Sequence, residues 1–428
     1  MLRLDSSSAD FAERFAALVD DRRESDADVS RDVAAIISDV RARGDDAVQD
    51  LTLTFDRVDL GAQGWEISKT ERQAALAGLS PELRSALDLA AARIGDYHAA
   101  QRPVDSDKVD AVGVRLGARW NAVDRAGIYV PGGRAAYPSS VLMNAIPAKV
   151  AGVGELIMVT PTPDGIINPL VLAAAEIAGV DRIFRIGGAQ AIAALAYGTA
   201  TIPPVDVITG PGNAWVAEAK RQLFGVVGID MVAGPSEILV VADGANNPHW
   251  IAADLLSQAE HDPTSQSILI TDYAAFADAV GRAVEAALGA LTTQATARAS
   301  WETYGAIIVV SALDDAPPLI NALAPEHLEL AVADPETLFA RVRHAGSVFL
   351  GRNTPEAIGD YVGGPNHVLP TGRRARFSSG LSVSDFMKRT SFLGCSEAAL
   401  AAIGPAAIAL ANAEGLPAHA ASIKVRLA

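Results

Sequence analysis

Seven histidines and a single cysteine, Cys395, bound the chemistry open to this chain. A lone cysteine forms no internal disulfide and builds no cysteine-rich zinc site, so any metal must be held by His, Asp, Glu or an amide oxygen. In LLSQAEHD, Gln258 and His261 stand three residues apart on a helical stretch, a spacing that turns two potential ligands to one face. A plain polar helix end before Pro263 reads the same way. In NALAPEHLELAV, Glu326 and His327 follow Pro325 where a helix gives way to a strand, and an adjacent acid and imidazole suit proton transfer. A polar loop apex is the alternative. Asp360 and His367 bracket a Gly-rich segment, and Glu414 and His419 sit five apart in the C-terminal tail; neither spacing is a motif by itself.

Three glycine turns point to a different ligand: YVPGGRAAYPSS after a strand, RIGGAQ before a helix, and TGPGNAWVAEAKRQ between a strand and a helix. Glycine lets the backbone come close to a ligand at a helix N-terminus, where phosphate or a dinucleotide binds. GPGN is not GxGxxG, and any one of these turns is as readily structural. Three of them at strand C-terminal ends in one unit would line one crevice, the place where α/β sheets take their ligands.

These residues need a scaffold, and the hydrophobic rhythm supplies one. The first hundred residues, as in VSRDVAAIISDVRARGDDAV and PELRSALDLAAARIGDYHAA, carry apolar residues at helical spacing. From Gly113 the pattern changes, first to GVRLGARWNAV, which alternates like a strand. ELIMV, RIFRI and VDVIT then alternate with helical PLVLAAAEIAG, AQAIAALAYG and NAWVAEAKRQLFG. A second series runs from EILVVAD through SQSILIT, GAIIVV and HLELAV to SVFLG, with helical segments between. Such βαβ alternation predicts parallel sheets covered by helices, hence two α/β units. Past Asp360 the chain turns Gly-rich and ends in an Ala-rich helical tail, long for a mere terminus.

Composition agrees with more than one core. The 428 residues are 50% hydrophobic and 20% charged, ample for more than one domain. A net charge of -16 argues against nucleic acid or an anionic membrane as partner, since both call for basic patches. The N-terminal MLRLDSSSADFAERF lacks the apolar stretch of a signal peptide. The longest apolar run, Ala398 to Ala413, is interrupted by Gly404 and Pro405 and falls short of the roughly 20 residues a span requires. A cytoplasmic protein without a membrane span is expected.

Taken together, YVPGG, GGAQA, GPGNAWVAEAKRQ, IDMVAGPSE, DLLSQAEHDP, APEHLEL, GDYVGGPNHVLPT and EGLPAH resemble the histidinol dehydrogenase family in order and spacing, over almost the entire chain. The resemblance implies NAD-dependent four-electron oxidation of L-histidinol through L-histidinaldehyde to L-histidine, the last step of histidine biosynthesis. It implies zinc ligands at Gln258, His261, Asp360 and His419, an acceptable donor set for Zn²⁺. Substrate contacts are implied at Ser236, Gln258, His261, His327, Asp360, Glu414 and His419, cofactor contacts at Tyr129, Gln190 and Asn213, and the catalytic pair at Glu326 and His327. The three cofactor positions fall in the glycine-turn loops.

The implied fold is α/β, with two incomplete Rossmann-like domains (parallel sheets with flanking helices), an N-terminal helical segment and a C-terminal helical tail. Its expected divisions are an N-terminal helical extension, 1–23; a first domain of 24–106 with 236–381; a second of 107–235; and a tail, 382–428. The tail is expected to be exchanged in a homodimer with shared active sites. Two other readings share these residues. A superfamily dehydrogenase of another small polyol, such as sulfopropanediol, would keep NAD and the Glu326–His327 pair, and a zinc hydrolase would need neither nucleotide nor glycine turns. A non-catalytic binding protein has no positive feature in the sequence.

Overall fold

The computed structural model describes residues 1–21, 29–132, 137–232 and 234–428. The expected boundary at 23/24, part of the YVPGGRAAYPSS turn and residue 233 of IDMVAGPSE lie outside the described residues. The strands, in chain order, are β1 (Leu2–Asp5), β2 (Ser106–Val109), β3 (Arg115–Ala122), β4 (Arg125–Tyr129), β5 (Glu155–Val159), β6 (Arg182–Phe184), β7 (Val207–Thr209), β8 (Gly228–Ile229), β9 (Glu237–Ala242), β10 (Gln266–Thr271), β11 (Ala306–Val309), β12 (His327–Ala331), β13 (Ser347–Leu350) and β14 (Met387–Gly394). They form a six-stranded sheet in the order β1-β11-β10-β9-β12-β13, a five-stranded sheet in the order β6-β5-β4-β7-β8, and a small β14-β3-β2 sheet. The two larger sheets are parallel throughout and the small one antiparallel.

Setting β1 aside, both parallel sheets wind in the same way: third, second, first, fourth and fifth strand of their own series. The first strand of each neighbours the fourth, which makes β4/β7 and β9/β12 the two points where the winding reverses. Helices cover both faces of each sheet. On the six-stranded sheet, Leu255, Val280 and Trp301 pack on one face and Ile320 and Leu338 on the other.

Two expectations about the N-terminal part are corrected. Residues 1–23 are not only helical: Leu2–Asp5 adds a parallel edge strand beside β11, and helix Phe11–Asp20 lays Phe11, Phe15 and Leu18 against the same sheet. A four-residue strand with alternating charge gives little periodicity to read. Residues 30–99 do not pack with the sheet of residues 237–350 as expected, but on the five-stranded sheet. Leu87, Ala90 and Ile94 of helix Pro81–Ala99 join Val141 and Leu142 on one face, while Val33, Ile37 and Val40 of helix Ser30–Arg43 join Ile192 and Leu195 on the other. The 65–67 segment also bonds to the edge strand β6, through Ile67 N–H to Ile183 O and Arg185 N–H to Trp65 O. Each fully buried Val, Leu or Ile contributes about 1.5–3 kcal/mol, so these amphipathic helices settle where apolar surface is left open, and chain order does not dictate which sheet offers it.

The tail is not wholly helical either. Strand β14 pairs with β3 from Met387↔Ala122 to Gly394↔Arg115, and helices Glu397–Ala413 and Pro417–Lys424 follow. Leu393, Leu410 and Val425 of this tail are exposed. Among the described residues, no helix is long and apolar enough to cross a membrane.

Candidate active site

In the five-stranded sheet, the glycine turns after β6 and β7 both meet the end of β4. Tyr129 ends β4 with its ring buried, and its hydroxyl accepts the Gly188 N–H at 3.2 Å, joining the turn after β6 to the end of β4. Gln190, two residues on, is buried in the first turn of helix Gly188–Tyr197. After β7, Gly210 adopts φ +108°, and a Cβ there would lie 2.1 Å from Tyr129 O, so the turn passes in contact with the end of β4. Asn213 caps helix Ala214–Leu223, its side-chain oxygen accepting the N–H groups of Trp215 and Val216. A helix N-terminus beside a turn with glycine at 210 and 212 suits the pyrophosphate of a dinucleotide.

The acid and imidazole groups collect elsewhere, at the N-terminal ends of β9 and β12. Glu326 and His327 stand at the helix-to-strand junction, but they are buried rather than a polar apex. Glu237, first in β9, faces them: its backbone N–H donates to Glu326 Oε2 at 2.9 Å, and its own carboxylate accepts the Glu326 N–H at 3.3 Å. His327 Nδ1 lies 3.0 Å from Glu237 O. A carbonyl only accepts, so Nδ1 carries the proton and Nε2 presents a lone pair. That Nε2 is buried without a hydrogen-bond partner, 3.6 Å from Glu356 Oε1 and 4.0 Å from Asp360 Oδ1. Asp360 in turn lies 3.7 Å from His367 Nδ1, and a small concavity opens between His327, Phe349, Asp360, Asn366 and His367.

Burial sets the protonation of this cluster. It pushes the His327 imidazole down to about 4, against the opposing pull of Asp360 and the Glu237 carbonyl. Burial also holds the Glu326 carboxyl well above the usual range; the charges of Glu237, Asp360 and Glu356 add to this, while the Glu237 N–H opposes it. Glu356 is pushed up to about 8, first by burial and then by Asp360. Beneath it, Glu329 Oε1 accepts the Glu356 N–H at 2.5 Å, and burial together with Asp254 holds the Glu329 carboxyl well above its usual range. The site therefore combines a neutral imidazole with several acids that stay protonated unless a cation enters.

The donor set fits a metal. Gln258 Oε1 is fully buried with no hydrogen-bond partner, a costly state for an amide oxygen unless a cation or donor meets it. His327, Glu356 and Asp360 offer ligand atoms within 4.8 Å of one another. His261 does not share the helix with Gln258 as expected: the helix ends at Ala259, and His261 follows in a turn closed by its N–H to Gln258 O at 3.2 Å. It is exposed, yet near enough to influence both His327 and His367. Ser236 directly precedes β9, and its carbonyl accepts the Gln266 N–H. Glu414 and His419 are exposed on the tail, Glu414 closing helix Glu397–Ala413 and His419 within helix Pro417–Lys424.

The histidinol dehydrogenase family model matches residues 19–427. The histidinol dehydrogenase of Zymomonas mobilis subsp. mobilis is 66% identical over 427 residues, covering 100% of this chain and 99% of that protein. That of Rhodospirillum rubrum is 65% identical, covering 100% and 98%. The chain belongs to the histidinol dehydrogenase family. A crystal structure of histidinol dehydrogenase from Elizabethkingia anophelis superposes with a TM-score of 0.95 at 36% identity, covering 100% of this chain and 98% of that one.

As a histidinol dehydrogenase family member, the chain is an oxidoreductase, and the relatives favour neither a polyol dehydrogenase of another kind nor a hydrolase. Sequence reasoning did not single out Glu237, Glu329 and Glu356. Glu356 carried a usable signal, standing four residues before Asp360 in TPEAIGDY, where helix Glu356–Tyr361 turns both toward His327. Glu237 and Glu329 sit inside apolar strand runs, and only the pairing of β9 with β12 makes neighbours of them and the site.

Proposed function

We propose that this protein oxidises L-histidinol through L-histidinaldehyde to L-histidine, the closing step of histidine biosynthesis, with zinc and NAD and as a cytoplasmic enzyme. The observation that carries the reading is His327: its Nδ1 is tied to the Glu237 carbonyl and its Nε2 faces the small concavity with the lone pair free. The Tyr129, Gln190 and Asn213 loops would hold NAD, which would supply the hydride acceptor for each of the two oxidations that the four-electron balance requires. In the first, His327 Nε2 takes the hydroxyl proton of the substrate, and Glu356 and Asp360 offset the resulting imidazolium charge. In the second, Glu326 takes a proton from water as it adds to the aldehyde, the protonated His327 gives its proton to the former carbonyl oxygen, and the neutral imidazole then takes a hydroxyl proton of the hydrate. A carboxyl held high by burial is a strong proton acceptor once the cationic substrate draws it into its ionised form.

Zinc, held by Gln258, His261, Asp360 and His419, would supply a cationic anchor for the nitrogen atoms of the substrate. The orphaned Gln258 oxygen supports that role. The exposure of Glu414 and His419, on a tail that also exposes Leu393, Leu410 and Val425, supports their delivery to the site of a second subunit in a homodimer. Ser236 and His327 complete the substrate contacts in this reading.

Stoichiometry tests the activity. Purified protein should form two NADH per L-histidinol, lose activity with a chelator and regain it with zinc; one NADH per substrate would reduce the enzyme to a simple alcohol dehydrogenase. Mixing inactive His261→Asn and inactive His419→Asn chains tests the shared site. Activity should return in heterodimers, and verified heterodimers that stay inactive would exclude it.

A further inference from the structure

Gly210 opens the turn after β7, and one buried ion pair grips both polar groups of this residue. Lys220, in helix Ala214–Leu223, donates from Nζ to Gly210 O at 3.0 Å. Asp230, just past β8, accepts the Gly210 N–H at Oδ2, 2.8 Å away, and the Met231 N–H at Oδ1, 2.6 Å away. The two side chains also pair with each other, 3% and 1% exposed. Taking two charges out of water offsets much of their attraction, so such a pair is a poor source of net stability. What it supplies here is geometry. With N–H and C=O both held and φ at +108°, Gly210 has one orientation, and the course of Pro211, Gly212 and Asn213 follows from it. The same grip joins β7, β8 and the helix that Asn213 caps.

We propose that Lys220 and Asp230 are positioning residues for the nicotinamide cofactor: without touching it, they fix the Gly210–Asn213 turn in the form that receives the dinucleotide. This rests on the reading that NAD binds at these loops. A bare structural role would make the pair matter only for folding, whereas a positioning role makes it matter for cofactor affinity even when folding is intact.

Charge balance separates the two. Lys220→Met leaves Asp230 buried without its cation, and Asp230→Asn leaves the ammonium alone, so each single variant should melt earlier. The double variant Lys220→Met/Asp230→Asn removes both charges and keeps an acceptor for the Gly210 N–H, so its melting temperature should recover. NAD affinity, read by calorimetric titration of the zinc-loaded dimer, should stay about tenfold or more weaker in the double variant, while L-histidinol affinity without NAD is unchanged. A double variant that recovers both melting temperature and NAD affinity overturns the proposal. If the single variants do not fold, the double variant alone decides. Wild-type protein that fails to bind NAD at all would overturn the reading of the loops and this inference with it, whereas wild-type binding with an unaffected double variant would overturn the inference alone.

Discussion

At the reversal point of the five-stranded sheet, β4 and β7 end in Tyr129 and the Gly210 turn, where glycine backbone runs in close contact with the end of β4. At the matching point of the six-stranded sheet, the same ends are closed. Asp243 follows β9, accepts the Ala333 N–H at 2.9 Å and pairs with Arg352, while Asn246 donates to Ala331 O at 2.6 Å. A dinucleotide phosphate would meet a carboxylate there instead of a glycine turn at a helix N-terminus. The chemistry of that sheet sits at the opposite ends of the same two strands, where Glu237, Glu326 and His327 are buried together. Under the proposed function, two sheets with one winding divide the work: one gives glycine turns to the cofactor, the other titratable side chains to the substrate. Topology says where a ligand can enter, and the residues at each strand end decide whether it does.

The comparison breaks most sharply at His327. His327→Asn should lower kcat by about 10²–10⁴ with L-histidinol affinity nearly unchanged, measured by steady-state kinetics and substrate titration. Near-normal turnover would remove His327 from proton transfer. Glu326→Gln should impair aldehyde oxidation more than alcohol oxidation, and equal losses in the two half-reactions would contradict its role toward water.

Gly210→Ala probes the other sheet. A Cβ at φ +108° and 2.1 Å from Tyr129 O must displace the turn, so KM for NAD should rise about tenfold while zinc content and L-histidinol affinity hold. An unchanged KM for NAD would detach the cofactor from this turn.

A smaller effect is expected from pH. His98, on the helix packed against the five-stranded sheet, has Nδ1 2.8 Å from Ile94 O and Nε2 3.4 Å from Asn366 Nδ2, in the loop before β14. Burial holds its pKa below the usual value. The unfolded chain therefore binds this proton at a higher pH than the folded one. Stability from this group is full above the unfolded value of about 6.5 and is lost as pH falls below it. His98→Gln should flatten that part of the decline in urea midpoints between about pH 7 and 5; an unchanged slope would assign the decline to other groups.

The smallest effect is expected at the closed end. Asp243→Asn should cost about 1 kcal/mol in urea unfolding and leave NAD affinity as it is. A clear loss of NAD affinity would mean that the cofactor reaches the six-stranded sheet after all.

Several features were legible from residue types alone. The βαβ rhythm from ELIMV to VDVIT and from EILVVAD to SVFLG appears in the structure as two parallel sheets, because buried strands must be apolar and their crossover helices amphipathic. Glycine marked the turns because only a residue without Cβ tolerates the φ of Gly210. The Glu326–His327 pair was visible because the two are adjacent in the chain. Other features had no local signature. Residues 30–99 choose the five-stranded sheet by complementary apolar surface, which no single helix encodes. Leu2–Asp5 becomes a strand only because β11 offers it an edge.

Residue order alone determined the strands of the two βαβ series, the glycine turns and the residue types that could bind or transfer protons, since these depend on short-range periodicity and side-chain chemistry. Which of them meet follows from packing. Pairing β9 with β12 puts Glu237 against His327, sets the imidazole tautomer and leaves Nε2 free. Burial then pushes that imidazole down to about 4 and the neighbouring carboxyls up. Protonation depends on distance and on exclusion of water, and both arise only when segments far apart in the chain are packed together.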